Sequence, residues 1–460
     1  MNYQTSCNAL VFSLLLLGVL GMYWGIIPLA GAAKAAPMSP ATVKLPAWTN
    51  STLDWKHTAV TGRASHPTPS NIAVATDTHL AIFNASGQTI LEPFDLGGPG
   101  LISGVEVTYP GAGVYGIAWS QNGAWIRSIQ AWTGTMKLNE TFDPSLKPQI
   151  FGAELATYHY LLYWGRVSPT TRIQGFTTNG FLRLYQIGAQ YDRHLWNYSI
   201  PNLIDAAISQ SGDYIVAING SHLFLWDNPY YVHTPDRITA IQNGTIVGVG
   251  HTATGPSATY DAYVYWANNT HLSIWVPKTL EYYPTGFIEV ATFPLQAPAR
   301  KMAVGAMGIS ANLWGFNDQQ TVRYLKGINT TGGDISSPQS FNETFEFDPG
   351  SNLNSGPVCS EWGRYWAVAD NAEGVRFYDK YGVELWHTGN NYTSVAISED
   401  GLVVTAINTT SNRLEVFWNT ELSPDTSFAT TEEHGLEIAF IIGALIVVVA
   451  RKMTQRKQQR

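Results

Sequence analysis

The side chains that could do chemistry are scattered through this chain, so their spacing has to be weighed first. Eleven histidines are present. His79, His222 and His271 open similar strings, HLAIFN, HLFLWD and HLSIWV. A histidine fixed by repeat register reads as a turn or packing residue, not as a metal ligand. No His-Glu-x-x-His and no paired cysteines appear, the spacings that hold zinc. Cys7 and Cys359 stand alone, so no disulfide framework exists. Gly97-Gly-Pro-Gly100 and Gly248-Val-Gly-His251 are glycine-rich, but neither leads into Lys-Ser/Thr and a helix, as a phosphate cradle requires. No Gly-x-Ser-x-Gly elbow occurs. Asp348-Pro-Gly-Ser-Asn352-Leu-Asn354 offers oxygen ligands at loosely calcium-like spacing, lacks the closing Glu, and reads as a plain turn. Carboxylates are plentiful, yet no sequence rule pairs them. The expectation is no catalytic residue, no metal and no cofactor, hence not an enzyme.

Two further sets of residues point to surfaces. Asn-x-Ser/Thr occurs at Asn50, Asn84, Asn139, Asn197, Asn219, Asn243, Asn268, Asn329, Asn342, Asn391 and Asn408. That number exceeds chance, about four or five, and suggests glycan acceptors on an exported surface. Turn-rich β proteins also favour Asn, Ser and Thr together, which is the competing explanation. The chain holds 16 Trp and 23 Tyr. Most fall in a repeat register and read as core. Tyr158-His-Tyr-Leu-Leu-Tyr-Trp164, Tyr230-Tyr231 and Tyr282-Tyr283 fall outside it and are candidates for a ligand face.

The ends place these residues outside a membrane. Ala9 to Ala33 carries no charge and could span a bilayer. Ala30-Gly31-Ala32 also resembles a signal cleavage site, so residues 1–36 are a cleaved signal or a retained anchor. Leu436 to Ala450 is a short apolar run followed by Arg451, Lys452, Arg456, Lys457 and Arg460. Bases beside a span stay cytoplasmic, which makes 436–450 a single-pass transmembrane helix, 451–460 an internal tail and 421–435 a short Ser/Thr-containing stalk. The bilayer is thus one partner. The formal charge of −8 argues against a nucleic-acid binder, which would need a basic face. Glycans without disulfides suit an archaeal surface better than a eukaryotic ectodomain.

Between residues 47 and 420 short alternating apolar runs are broken by Gly, Asn, Asp and Ser, the pattern of strands and turns. Two strings recur. AWSQNGAWI from Ala118, AISQSGDYIVAIN from Ala207, VCSEWGRYWAVAD from Val358 and AISEDGLVVTAIN from Ala396 each read as a hairpin turning at Ser-x-x-Gly. A second strand string puts an aromatic at Phe83, Tyr185, Trp226, Trp275, Tyr378 and Phe417, with gaps of 102, 41, 49, 103 and 39. Counting the long gaps as two units gives about 48 residues per unit, the size of a four-stranded propeller blade. Eight blades fill 47–420, with seven as the alternative. Tyr115 to Trp119 and Val322 to Tyr324 supply strands in the blades the aromatics skip. Leu195-Trp196 and Leu385-Trp386 mark a fourth strand, and Trp48 to Trp55 could give the last blade its outer strand.

Asp379-Lys-Tyr-Gly382-Val-Glu-Leu-Trp386 and AISQSGDYIVAIN resemble the repeats of quinoprotein-like (PQQ-like) and WD40-like propellers. The resemblance covers most of 47–420 and implies an all-β propeller architecture without naming an activity. Quinoprotein enzymes carry a tryptophan docking motif in nearly every blade; here Tyr381 precedes Gly382, and no adjacent cysteines occur. The expectation is a membrane-tethered cell-surface glycoprotein that binds or scaffolds a protein or glycan. A structural component of a glycoprotein envelope is one alternative. An exported hydrolase or oxidoreductase with its site at the central channel is the other.

Overall fold

The computed structural model describes residues 42–422 apart from 62–69, 109–113, 123–124, 144–148, 157–159, 167–178, 188–192, 210–211, 228, 230–232, 252–261, 278–286, 306–309, 332–339, 362, 371 and 390. The signal or anchor at 1–36, the helix at 436–450 and the basic tail lie outside the described residues. Among those described, no helix is long and apolar enough to cross a membrane.

Eight antiparallel sheets follow one another along the chain, each a meander of neighbouring strands. Their innermost strands are His57–Thr61, Gly104–Val107, Gln149–Ala156, Asp205–Ile208, Ile246–His251, Ala299–Val304, Leu353–Cys359 and Tyr392–Ile397. Each touches the next, and the eighth touches the first, so the ring is closed. The fold is an eight-bladed β-propeller, and the seven-bladed alternative is set aside. The chain's early strand Trp48–Asn50 pairs antiparallel with Arg413–Trp418 and completes blade 8, as expected from the Trp48 segment. Thr42–Val43 adds a fifth strand to blade 7, parallel to Glu384–His387.

Eight hydrophobic clusters fill the seams, one between each pair of neighbouring blades. This explains the aromatic ruler. Phe83, Tyr185, Trp226, Trp275, Tyr378 and Phe417 all lie on third strands. Each packs into the seam with the preceding blade. There the fourth-strand aromatic of the preceding blade meets it: Trp196 on Trp226 at 5.7 Å, Trp386 on Phe417 at 5.3 Å, and Trp48 against Phe83 at 6.1 Å between ring centroids. Flat sheets splayed around an axis leave a wedge that only large rings fill. Trp48 fills it from the other end of the chain.

The Ser-x-x-Gly turn behaves as expected in blades 4, 7 and 8. Ser209, Ser360 and Ser398 accept the amides of Tyr214, Tyr365 and Val403 at 3.0, 3.1 and 3.0 Å. Gly212, Gly363 and Gly401 take φ of 84°, 70° and 73°, which a side chain would resist. The Ala118 to Ile126 copy differs. It joins the second and third strands of blade 2, Tyr115–Ser120 and Trp125–Gln130, not the first and second. In that blade Thr108 takes the serine's role and accepts the Tyr115 amide at 2.8 Å. Ser, Asn and Gly suit any tight hairpin, so the string does not say which one it builds.

Candidate functional site

The inner strands carry a second set of bonds that stitch blades together across the axis wall. Glu154 Oε2 accepts the amide of Ile208 in blade 4 at 2.9 Å, and Asp205 Oδ2 accepts that of Val247 in blade 5 at 3.0 Å. Ser355 and Ser394 do the same for Val395 and Thr58, at 3.2 and 3.3 Å, the latter across the closure. The side chain of Glu106, on the inner strand of blade 2, makes no hydrogen bond among the described residues.

Against this wall lies a cavity of about 240 Å³, lined by Glu106, Glu154, Ile208, Gly248, Met302 and Val304 among others. The blades packed around it shield the carboxyls from water and penalise charge. Burial pushes the Glu106 carboxyl up to about 8. Burial also raises Glu154 to about 8; the Ile208 amide opposes the rise, while the charges of Asp205 and Glu106 add to it. Asp205 reaches about 6, raised by burial and restrained by the amides of Val247 and Ala206. Near neutral pH this wall therefore holds protons that an entering positive charge would displace. Gly248 keeps the space open, because a Cβ there would lie 2.7 Å from Val304 Cγ2 and 3.2 Å from the Met302 sulfur.

None of these residues was singled out as a site from the sequence, although Gly248 opens one of the glycine-rich strings. A signal existed: Glu106, Glu154 and Asp205 are spaced 48 and 51 residues apart, about one blade each. The repeat period brings them to one wall.

The residues that were singled out fall elsewhere. His79, His222 and His271 close the turn between second and third strands. Their Nδ1 atoms lie 2.9, 2.9 and 3.2 Å from the hydroxyls of Thr78, Ser221 and Thr270. Gly97 and Gly98 wrap Arg127, whose guanidinium bonds the Leu96 and Gly97 carbonyls. Asp348 accepts the Gly350 amide at 2.8 Å in a plain turn, and no metal-holding group occurs among the described residues. Tyr163 and Trp164 are seam residues. Tyr158, Tyr230, Tyr231, Tyr282 and Tyr283 lie outside the described residues.

Of the eleven acceptor asparagines, Asn139, Asn243, Asn342 and Asn391 are exposed, and Asn50, Asn84, Asn197 and Asn219 are half-buried. Asn268, Asn329 and Asn408 are buried. Several make turns with the very hydroxyl residue of their motif. Asn50, Asn219, Asn268 and Asn408 accept the amides of Thr52, Ser221, Thr270 and Thr410 at 3.1, 3.2, 2.8 and 3.0 Å. Thr76 and Asp370 hold the corresponding second-to-third-strand turn in blades 1 and 7.

No family model and no curated protein matches the chain. Solved structures do match in shape. Sqt1 of Saccharomyces cerevisiae superposes with a TM-score of 0.56 at 8% identity, covering 82% of this chain and 99% of that one. The C-terminal WD40 domain of Sif2 gives 0.56 at 10%, covering 83% and 99%. Sqt1 of Chaetomium thermophilum, solved bound to the N-terminus of ribosomal protein L10, gives 0.52 at 11%, covering 82% and 100%. At such identities the likeness establishes the fold alone: a WD40-like eight-bladed propeller.

Proposed function

We propose that the chain is a binding propeller, tethered to a cell membrane with its blades outside, whose channel wall receives a positively charged group of a protein partner. The observation that carries the binding site is the cavity with Glu106 and Glu154 on its wall. Its volume suits a side chain or a small ligand more than a drug-sized one. Two carboxyls that shed protons as a cation enters give both attraction and a pH dependence. Glu154, anchored to the next blade by the Ile208 amide, presents its charge from a fixed position. The shape neighbour solved with a protein N-terminus supports a peptide-binding use for this architecture. Tethering and export are supported by the apolar runs, the basic tail and the exposed sequons.

The test uses the full chain in detergent and a panel of short Lys- and Arg-containing peptides beside acidic and neutral ones, read by calorimetry. Basic peptides should bind, and affinity should rise between pH 6 and 8.5 by up to about tenfold per pH unit for each proton released. Glu106→Gln combined with Glu154→Gln should abolish the preference. Equal binding of acidic and basic peptides would refute the reading. The same two raised carboxyls favour a second reading, an exported hydrolase using a protonated carboxyl as general acid. Turnover of a glycoside or peptide panel, lost in the double variant, would establish it instead.

A further inference from the structure

Within the reading of an exported glycoprotein, the fold separates the acceptor asparagines by what their amide nitrogens already do. Asn268, Asn329 and Asn408 are 6%, 4% and 4% exposed. The Nδ2 of each, the atom a glycan would occupy, donates into the fold: to the Gln242 carbonyl at 3.1 Å, the Lys380 carbonyl at 2.6 Å and Glu415 Oε1 at 3.1 Å. The first and third also fix the turn between second and third strands through Oδ1. A sugar at these nitrogens would have to fit among the packed side chains of a blade and would displace these bonds.

The periphery differs in exposure and in place on the blades. Asn139 and Asn342 lie on the outermost strands of blades 2 and 6, Thr135–Thr141 and Ser340–Phe347. Asn243 and Asn391 lie on the connections that enter blades 5 and 8, next to Ile246–His251 and Tyr392–Ile397. All four are exposed. At Asn139 it is Oδ1 that takes the Arg127 guanidinium, at 2.9 Å, so the bond does not consume the amide nitrogen.

We propose that Asn139, Asn243, Asn342 and Asn391 are the sites of N-linked carbohydrate, and that Asn268, Asn329 and Asn408 are structural residues which share the motif without being modified. The donor is a sugar joined through phosphate to a lipid carrier. A bond forms between Asn Nδ2 and sugar C1, the C1–O bond to phosphate breaks, the phosphate leaves with the electron pair, and Nδ2 gives up one proton. The resulting sugars sit on the outermost strands of blades 2 and 6 and on the connections that enter blades 5 and 8.

Site-resolved mass spectrometry of the full-length protein, purified folded from its own membranes, reads occupancy at each asparagine. Carbohydrate on the four exposed sites with bare Asn268, Asn329 and Asn408 is the expected result. Carbohydrate on any of those three, or four bare exposed sites beside occupied sequons elsewhere, overturns the assignment while leaving export intact. Bare asparagines at all eleven positions overturn export itself and the assignment with it. As a second readout, Asn391→Gln should remove one glycan mass and leave the melting temperature unchanged. Asn408→Gln should lower the melting temperature and leave the glycan mass unchanged. The reverse pattern refutes the division.

Discussion

Glu106→Gln isolates the one carboxyl on the cavity wall that no described hydrogen bond holds. In the unfolded chain its pKa is the ordinary 4.5, and burial raises it to about 8 in the fold. Between those values the folded protein retains a proton that the unfolded chain has released. Stability follows the difference in bound protons, so this group makes the fold lose stability as pH rises through the window. Below 4.5 both states are protonated and the effect vanishes; above about 8 both are ionised and it is constant. The interval corresponds to roughly 5 kcal/mol if no water reached the group. Glu106 is part-exposed towards the channel, and water there reduces this to roughly 2–3 kcal/mol. Glutamine keeps the shape and removes the titration. Urea unfolding of both proteins from pH 5 to 9, read as midpoint differences times the mean slope, gives the comparison directly. The two should lie close together near pH 5, and the variant should gain steadily to pH 8 and then run parallel. An advantage independent of pH would refute the buried-carboxyl account. A variant less stable than wild type at pH 8.5 would refute it more severely, since Glu106 would then have an ionic partner.

Two other substitutions test the closure and the turns. Trp48→Ala takes from the seam between blades 8 and 1 a ring that packs on Phe83 and donates to the Ala85 carbonyl at 2.8 Å; a loss of about 3–5 kcal/mol is expected. A melting temperature like that of Trp132→Ala, whose side chain is 70% exposed, would deny Trp48 its closing role. Ser398→Ala removes the acceptor for the Val403 amide and the donor to Asp400. Because both partners are buried, roughly 1–3 kcal/mol should be lost in chemical denaturation, and an unchanged midpoint would refute the turn's contribution.

The propeller was legible because its period is imposed by a packing need that only certain residues meet. Third-strand aromatics such as Trp226 and Phe417 must bridge a wedge-shaped seam to the blade before, so their spacing counts blades without help from any activity motif. Turn strings carry less. The Ser120 copy joins a different pair of strands from the Ser209 copy, because hairpin chemistry is local and ignorant of register. The cavity was illegible for a third reason. Glu106, Glu154 and Asp205 belong to strands that alternate in and out, and which face meets the axis depends on register, not on residue type. Once the period is known, carboxyls one blade apart become a searchable pattern. The sequons show the same ambiguity in reverse. An Asx turn accepts the amide two residues on, and a Ser or Thr there adds a hydroxyl bond to the same oxygen at Asn219 and Asn268. A glycan acceptor needs that same Ser or Thr to be recognised. At Asn268 the amides of Thr270 and His271 answer to the first need, and at Asn139, on an outer strand, no such turn is made. The motif alone cannot separate them, whereas burial does, with Nδ2 of the buried three donating into the fold.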